Sequence, residues 1–190
     1  MPCRLVIIGG VAGGATAAAR ARRLSENAGI IVFERGEYVS FANCGLPYYI
    51  GEVIGTRNDL LITTPEEFKT RYRIDVRTLS DVVSIDRAAR EVVVKDVRTG
   101  ESYREPYDRI ILSPGAEPVS LPAGYGTLDN VFSLRSVSDA DRIKMHADRS
   151  GPRTAVIVGA GFIGLEMAEN LVRRGVKTTV VEKLPQAMNS

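Results

Sequence analysis

Two glycine-rich turns, each between an apolar run and a helical pattern, constrain the fold of this chain more than any other feature. The first turn is Gly9–Gly14, after the apolar run Arg4–Ile8, and the second is Gly159–Gly164, after Thr154–Val158. An apolar strand that turns through glycines into a helix opens a βαβ unit, whose second strand lies parallel to the first. The sequence therefore predicts an α/β protein with two parallel βαβ units.

The first turn is an imperfect fingerprint for a bound dinucleotide. Glu34 follows Gly14 by twenty positions, where a carboxylate that binds a ribose hydroxyl is expected. Val11 replaces the usual middle glycine, so the backbone must approach a pyrophosphate differently, and Gly10 and Gly13 are candidates to compensate. Free N–H groups and the helix dipole attract a diphosphate at such a turn. The alternative is a tight strand-to-helix turn without a ligand, which Glu34 in register disfavours.

The second turn is the stronger fingerprint because all three glycines of G-x-G-x-x-G are present. A strand is predicted over Lys177–Glu182, and Glu182 ends it eighteen positions after Gly164. This carboxylate should accept a hydrogen bond from an adenosine ribose hydroxyl and repel a 2′-phosphate, whereas Lys183 would attract that phosphate. The pattern indicates a nicotinamide dinucleotide site that favours NADH and leaves NADPH open.

Between the two turns, the pattern predicts an insertion and a connecting helix. Thr64 is expected to cap a helix, and three short strands read as an antiparallel meander. Helices are predicted over Gly13–Leu24, Pro65–Arg73, Ser138–Arg149 and Leu165–Arg174. Further strands are predicted over Ile30–Glu34, Thr78–Ile85, Glu91–Val97, Glu101–Tyr107 and Tyr107–Leu112. The predicted domains are a Rossmann-like domain with the meander insertion (1–120), a linker and helix (121–150), and the first part of a second Rossmann-like domain (151–190).

Composition excludes several other classes of protein. With 44% hydrophobic residues, 25% charged residues and a net charge of +2, the chain is expected to be a globular protein with small-molecule partners and no nucleic acid. No run approaches the apolar length of a membrane span, and glycines interrupt the N-terminal run that resembles a secretory signal. We therefore expect a cytoplasmic location and no membrane partner. Since a Rossmann domain needs strands beyond Glu182, we also expect a longer polypeptide.

The two cysteines lack metal-ligand spacing, so no metal site is expected. Cys3, at the start of a strand pattern, is interpreted as a small buried residue, and His146 as solvated. Cys44 lies between the two turns, and a short helix beginning near it would stabilise its thiolate. Redox chemistry at Cys44 is the leading hypothesis, and a buried structural thiol is the alternative.

Five segments together carry a family resemblance: the first turn, the second turn and its flanks (VGAGFIGLE), SFANCGLPYY around Cys44, YDRIILSPGA ending at Ala116, and VFSLRSV ending at Val137. They resemble the coenzyme A-disulfide reductases, which are flavin-dependent pyridine nucleotide-disulfide oxidoreductases. The resemblance implies FAD at the first turn, NAD(P)H at the second, and reduction of CoA disulfide or a persulfide through Cys44. It also implies a homodimer. A non-catalytic flavin-binding module is the alternative from another class.

Two positions separate branches of that superfamily. Tyr49 stands where the two-cysteine relatives carry the second cysteine of a CxxxxC pair, so Cys44 needs an external sulfur or oxygen. Ala12 stands where oxygen- and peroxide-reducing relatives carry a histidine. Disulfide or persulfide reduction is therefore the leading interpretation, and an NADH oxidase or peroxidase that uses a Cys44 sulfenic acid is the alternative.

The resemblance also assigns site residues, with Cys44 as the catalytic one. For FAD they are Gly9, Gly10, Val11, Ala12, Gly13, Gly14, Glu34, Arg35, Asn43, Val82, Ser113, Pro114, Gly115 and Arg135. For NAD(P)H they are Gly159, Gly161, Phe162, Ile163, Gly164, Glu166, Glu182 and Lys183. For the CoA substrate they are Thr16, Arg20, Arg23, Ser40, Asn43 and Arg71. Solvated cations that complement the end of the first helix are the alternative reading of Arg20 and Arg23.

Overall fold

Residues 3–119 and 128–188 are described by the computed structural model. Its strands are β1 (Arg4–Ile8), β2 (Gly29–Phe33), β3 (Ile74–Arg77), β4 (Ser80–Asp86), β5 (Glu91–Asp96), β6 (Ser102–Pro106), β7 (Arg109–Leu112), β8 (Thr154–Val158) and β9 (Lys177–Val181). Its α-helices are α1 (Ala12–Leu24), α2 (Leu46–Ile50), α3 (Pro65–Tyr72), α4 (Val137–Ser150) and α5 (Phe162–Arg173).

Contacts divide the chain into two units. Unit 1 contains Met1–Phe41 and Leu61–Ala116, and unit 2 contains Ala42–Leu60 and Glu117–Ser190. The segment Ala42–Leu60, which carries Cys44, therefore belongs to the unit that contains the second glycine turn. Sequence patterns placed it in the first domain, and the predicted domain bounds remain a prediction.

Unit 1 is a parallel sheet covered on both faces. Its strand order is β3-β2-β1-β7, and β4-β5-β6 form a separate antiparallel sheet. Adjacent residues of a strand point to opposite faces, so Ile7 packs with the helix residues Ala18 and Phe68, whereas Val6 packs with Val92 of the meander. Each fully buried side chain of this size contributes about 1.5–3 kcal/mol. The predicted Rossmann-like fold with a meander insertion is confirmed.

The helix starts follow from their capping residues. The Thr64 side chain accepts a hydrogen bond from the Glu67 N–H, and the Glu67 carboxylate accepts one from the Thr64 N–H, so the predicted cap is confirmed as a full capping box. Pro65 takes the first position, where no N–H is needed. Ser136 and Asp139 form a second capping box at α4, which starts at Val137 rather than at the predicted Ser138.

Two predictions about unit 1 and α4 were wrong, and one strand of unit 1 was missed. β3 was not predicted, because the four-residue strand follows α3 after a single residue, Arg73, in the left-handed conformation (φ 51°). Cys3 is exposed rather than buried, because burial along β1 begins only at its third residue, Val6. His146 is half-buried rather than solvated, and its ring lies 5.1 Å from that of Phe132.

Unit 2 contains a parallel pair of strands, β8 and β9, with α5 between them in sequence. α5 starts at Phe162, three residues before the predicted start at Leu165. Val156, Val158 and Val181 are exposed on this sheet. Among the described residues, no helix combines the length and apolar character needed to cross a bilayer.

Candidate active site

The first glycine turn is shaped by close backbone packing within unit 1. Gly9 has φ +95°, and a side chain on it would overlap the carbonyl oxygen of Ser113. A side chain on Gly14 would in turn overlap the carbonyl oxygen of Gly9. A Cβ on Gly13 would lie 3.1 Å from Oγ of Ser113. The turn thus needs its glycines for the protein's own packing, before any ligand is considered.

Glu34 is held at the end of β2 by two backbone donors. Its Oε2 accepts a hydrogen bond from the Gly10 N–H at 2.7 Å, and its Oε1 accepts one from the Gly36 N–H at 2.8 Å. A carboxylate has about four lone-pair sites, so both oxygens can accept a further bond. The carboxylate is therefore fixed and still able to accept from a ribose hydroxyl.

The start of α1 has donors that suit a diphosphate. Its N-cap, Val11, makes no side-chain capping bond, and the first helical bond runs from the Ala15 N–H to the Val11 carbonyl. The N–H groups that precede this bond have no partner within the helix, and Ala12 and Gly13 are exposed. Anions bind such helix starts. The residues of this turn fit the diphosphate and ribose of a dinucleotide.

The second turn repeats this arrangement in unit 2. Gly159 has φ +103°, and a side chain on Gly164 would overlap the Gly159 carbonyl oxygen. Glu182 Oε2 accepts from the Ala160 N–H at 2.7 Å and its Oε1 from the Leu184 N–H at 2.9 Å. These two bonds, that from Ala160 first, lower the pKa of Glu182 below its usual value. The carboxylate is therefore ionised at neutral pH and available to a ribose hydroxyl.

The middle of the second turn is open to solvent. A Cβ on Gly161 would meet nothing within 4 Å among the described residues, and its φ of −78° is one that any residue adopts. Phe162 and Ile163 are exposed, as is Lys183 after β9. Glu166 is half-buried on α5. Among the described residues, neither conformation nor packing requires glycine at 161, and its predicted contact with a nucleotide remains a prediction.

Cys44 is exposed and lies in a 3₁₀ turn, Asn43–Gly45, that leads directly into α2. Gly45 is buried beneath it, where a Cβ would lie 2.8 Å from Leu60 Cδ2. The Oδ1 atom of Asn43 is buried and accepts no hydrogen bond from the described residues. The backbone next to Cys44 is thus closely packed, while Cys44 itself is exposed. The expected stabilisation of the thiolate remains a prediction.

The cations predicted to bind CoA lie on one face of α1. Thr16, Arg20 and Arg23 are spaced by four and three positions and are exposed, opposite the buried Ala18. Within the described residues, Arg20 and Arg23 make no ion pair. Arg22 between them is used differently: its guanidinium donates to the carbonyls of four residues, which are Tyr72, Arg73, Ser25 and Glu26.

Ser40 and Arg71, also predicted for CoA, lie in unit 1. Ser40 has φ 46°, and its N–H donates to the Gly10 carbonyl at 3.0 Å, which ties it to the first turn. Arg71 is exposed on α3, with its guanidinium 5.8 Å from the centre of the Tyr72 ring.

The other residues predicted for FAD differ in their surroundings. Val82 lies at a bulge of β4, and its side chain packs with the unit 1 core. Arg35 is exposed after β2, and Pro114 and Gly115 are exposed after β7. Arg135 lies in unit 2, where its N–H donates to Asp139 at 3.1 Å. Their roles toward a cofactor remain predictions.

Comparison with known proteins gives the class. The family described as "Pyridine nucleotide-disulphide oxidoreductase" matches residues 3–190, so the chain belongs to this family, which implies a flavin and a pyridine nucleotide. The coenzyme A disulfide reductase of Staphylococcus haemolyticus is 41% identical over 180 residues, which are 95% of this chain and 40% of that protein. The chain thus spans less than half the length of this relative.

Two solved structures resemble the chain closely. The reduced CoADR-RHD of Bacillus anthracis is 51% identical with a TM-score of 0.93, and the match covers 99% of this chain and 34% of that one. The NAD-dependent persulfide reductase of A. fulgidus is 36% identical with a TM-score of 0.87, covering 93% and 33%.

Proposed function

We propose that this chain supplies the redox thiol and both nucleotide-binding turns of an FAD-dependent NAD(P)H:disulfide oxidoreductase that reduces CoA disulfide or a CoA persulfide. The observation that carries the proposal is the exposed Cys44 beside Tyr49. Tyr49 fills the position of a second redox cysteine and is buried, and its hydroxyl donates to Asp141 at 3.0 Å. No dithiol can form between positions 44 and 49, so Cys44 would need an external sulfur or oxygen as its redox partner, and we propose a sulfur.

FAD fits the first turn because its ADP half offers the groups that the turn recognises. Glu34 would accept from the adenosine ribose, and the open N–H groups of α1 would bind the diphosphate. When bound, the flavin would supply the two electrons that it receives as hydride from NAD(P)H. Glu182 would hold the ribose of that nucleotide, and Gly161 would admit its diphosphate.

Cys44 would then carry out thiol–disulfide exchange. Two electrons that reach a Cys44–S–S–CoA mixed disulfide break the S–S bond, release CoA as a thiolate and leave Cys44 as a thiolate. This thiolate attacks one sulfur of a CoA disulfide, forms a new mixed disulfide and expels the second CoA thiolate. Exposure of the sulfur satisfies the first requirement of this exchange, which is access.

The charges of CoA suit the exposed face of α1. Arg20 and Arg23 make no ion pair within the described residues and can pair with phosphates, whereas Arg22 is held by carbonyls of its own unit. Similarity to the Staphylococcus haemolyticus protein supports CoA disulfide as substrate, and similarity to the A. fulgidus protein supports a persulfide. We also propose that the complete protein is a cytoplasmic homodimer.

The test is Cys44→Ser in the complete polypeptide that carries this chain. We expect disulfide turnover to fall by at least about a thousandfold, because the hydroxyl cannot exchange with a disulfide. Flavin content and its bleaching by NADH should stay unchanged, as measured by absorbance. Cys3→Ser is the matched control and should keep full turnover, since that cysteine lies outside the proposed chemistry.

The electron acceptor follows from the reoxidation of the NADH-reduced protein. Recovery of flavin absorbance with CoA disulfide or a CoA persulfide, but slowly with oxygen, supports the proposal. Comparable recovery with oxygen alone supports the water-forming oxidase instead. The mass of Cys44 in the purified protein distinguishes a CoA adduct, a persulfide and a sulfenic acid. Absence of bound flavin contradicts the proposal.

A further inference from the structure

The segment that carries Cys44 is anchored to α5, the helix that follows the second glycine turn. At the end of α2, Gly51 has φ −78°, so its conformation does not require glycine. The available space does require glycine, because a Cβ on Gly51 would overlap Oδ1 of Asn170 and lie 2.6 Å from its Cγ. Gly51 is therefore needed for the close packing of α2 against α5.

Asn170 is itself fixed in place. It is 1% exposed, and its Nδ2 donates to the Glu166 carbonyl one turn earlier in α5 at 2.8 Å. A buried amide that is held in this way is a rigid contact surface rather than a mobile side chain. Glu166 belongs to the part of α5 nearest the second glycine turn.

Arg174 provides a second connection immediately after α5. Its Nη1 donates to the carbonyl of Ile50, the last residue of α2, at 3.1 Å, and its Nη2 bonds the Asp148 carboxylate. Its side chain is only 14% exposed. A carbonyl at the end of a helix has no partner within the helix, so this guanidinium satisfies a group that would otherwise be unpaired.

Helix α4 holds the same segment from another element. Lys144 pairs with Glu52 at 3.0 Å, and Asp141 accepts from Tyr49 and pairs with Arg57 at 3.0 Å. These contacts join α2 to both α4 and α5 within unit 2. Only Gly45 separates Cys44 from the first residue of α2, so the placement of α2 sets the placement of the thiol.

We propose that Asn170 and Arg174 are positioning residues for Cys44, acting through Gly51 and the Ile50 carbonyl on α2. They join the helix that starts at the nucleotide turn to the helix that follows the thiol. The inference rests on the proposed function in that Cys44 is taken as the redox thiol, but the anchoring itself is independent of it.

The first test is Gly51→Ala, measured by the pH profile of Cys44 alkylation with iodoacetamide, read by peptide mass spectrometry so that Cys3 is counted separately. A shifted profile is expected, with kcat lowered about tenfold to a hundredfold and KM nearly unchanged, because displaced reacting groups lose orientation. Asn170→Gly in the same chain removes the three atoms nearest to the new methyl, so the methyl can occupy their space and the profile should be restored. An unshifted profile in Gly51→Ala, or no restoration, overturns the proposal.

The second test is Arg174→Gln, which adds no bulk and keeps the proposal testable where Gly51→Ala fails to fold. We expect the same shift in the alkylation profile, with faster hydrogen exchange at α2. Arg173→Gln is the matched control, because Arg173 is exposed and unpaired within the described residues. Equal profiles for the two variants contradict the inference. A protein that alkylates as expected but reduces no disulfide contradicts the proposed function and leaves the anchoring intact.

Discussion

The two glycine turns share one backbone plan and differ in what their glycines serve. In both, the first glycine has a positive φ, its N–H donates to the end of the neighbouring strand at 2.8 Å, and a glutamate accepts from the next N–H at 2.7 Å. In the first turn, a Cβ added at Gly9 or Gly13 would meet Ser113. In the second, Gly159 and Gly161 face open space among the described residues.

The same glycine-rich motif is therefore packed differently in the two units. The first turn is completed by a neighbouring segment of its own unit, so its glycines are required for folding. Among the described residues, neither packing nor conformation requires the middle glycine of the second turn, and its role toward a nucleotide remains a prediction. Val11, at the same position of the first turn, shows that the backbone plan does not itself need glycine there.

The largest effect is expected from Gly9→Ala compared with Gly159→Ala. Both place a side chain at positive φ, at a cost of about 1–2 kcal/mol. Only the alanine at 9 also collides with the Ser113 backbone, so its loss of unfolding free energy should exceed about 3 kcal/mol or prevent folding. Chemical denaturation measures both. Equal losses would show that the two turns are packed alike.

Gly161→Ala should separate binding from stability. We expect the affinity for NADH to fall about tenfold or more, since a methyl group occupies space that a diphosphate would need. Stability should change by less than about 1 kcal/mol, because the position is open and only the helix cap is altered. Calorimetric titration with NADH and thermal unfolding give the two values. Unchanged affinity would mean that the nucleotide lies elsewhere.

The helix that follows the first turn, α1, presents Arg20 and Arg23 on an exposed face that we propose binds CoA. Replacing both with Gln should raise KM for CoA disulfide about three- to tenfold with kcat unchanged, through loss of charge-assisted bonds to phosphate. Arg22→Gln is the control: it should lower stability and leave KM alone, as its guanidinium bonds backbone carbonyls. A KM that is insensitive to the double change would indicate that both arginines are only solvated.

The smallest effect concerns acid stability at Glu182. Its pKa is lowered in the folded protein by the N–H groups of Ala160 and Leu184, so folding favours the ionised form. The resulting stability is present above the usual glutamate pKa of 4.5 and is lost as pH falls through the lowered value. Relative to Glu182→Gln, the parent protein should lose stability below about pH 4.5. The prediction is contradicted if the free energies of unfolding of the two proteins change in parallel between pH 7 and pH 3.

Much of the fold was predictable because local patterns decide it. β1 and β8 were predicted at their observed bounds, and Thr64 was identified as a cap. Both carboxylates lie at the predicted strand ends, but their hydrogen bonds with the N–H groups of Gly10 and Ala160 were not predicted. The missed strand, β3, is four residues long, too short for its alternation to stand out from a loop. His146 was misjudged because its ring contact is with a residue distant in the sequence, Phe132.

The sequence by itself determined the α/β class, the two glycine-rich turns and the presence of Cys44 without a cysteine at position 49, because glycine spacing, strand periodicity and residue identity are local properties. Only the tertiary structure decided which unit Cys44 belongs to. It also revealed Gly51 against Asn170, a contact between residues far apart in the chain that have no common motif. Such packing depends on how helices meet in space, and no spacing along the chain encodes it.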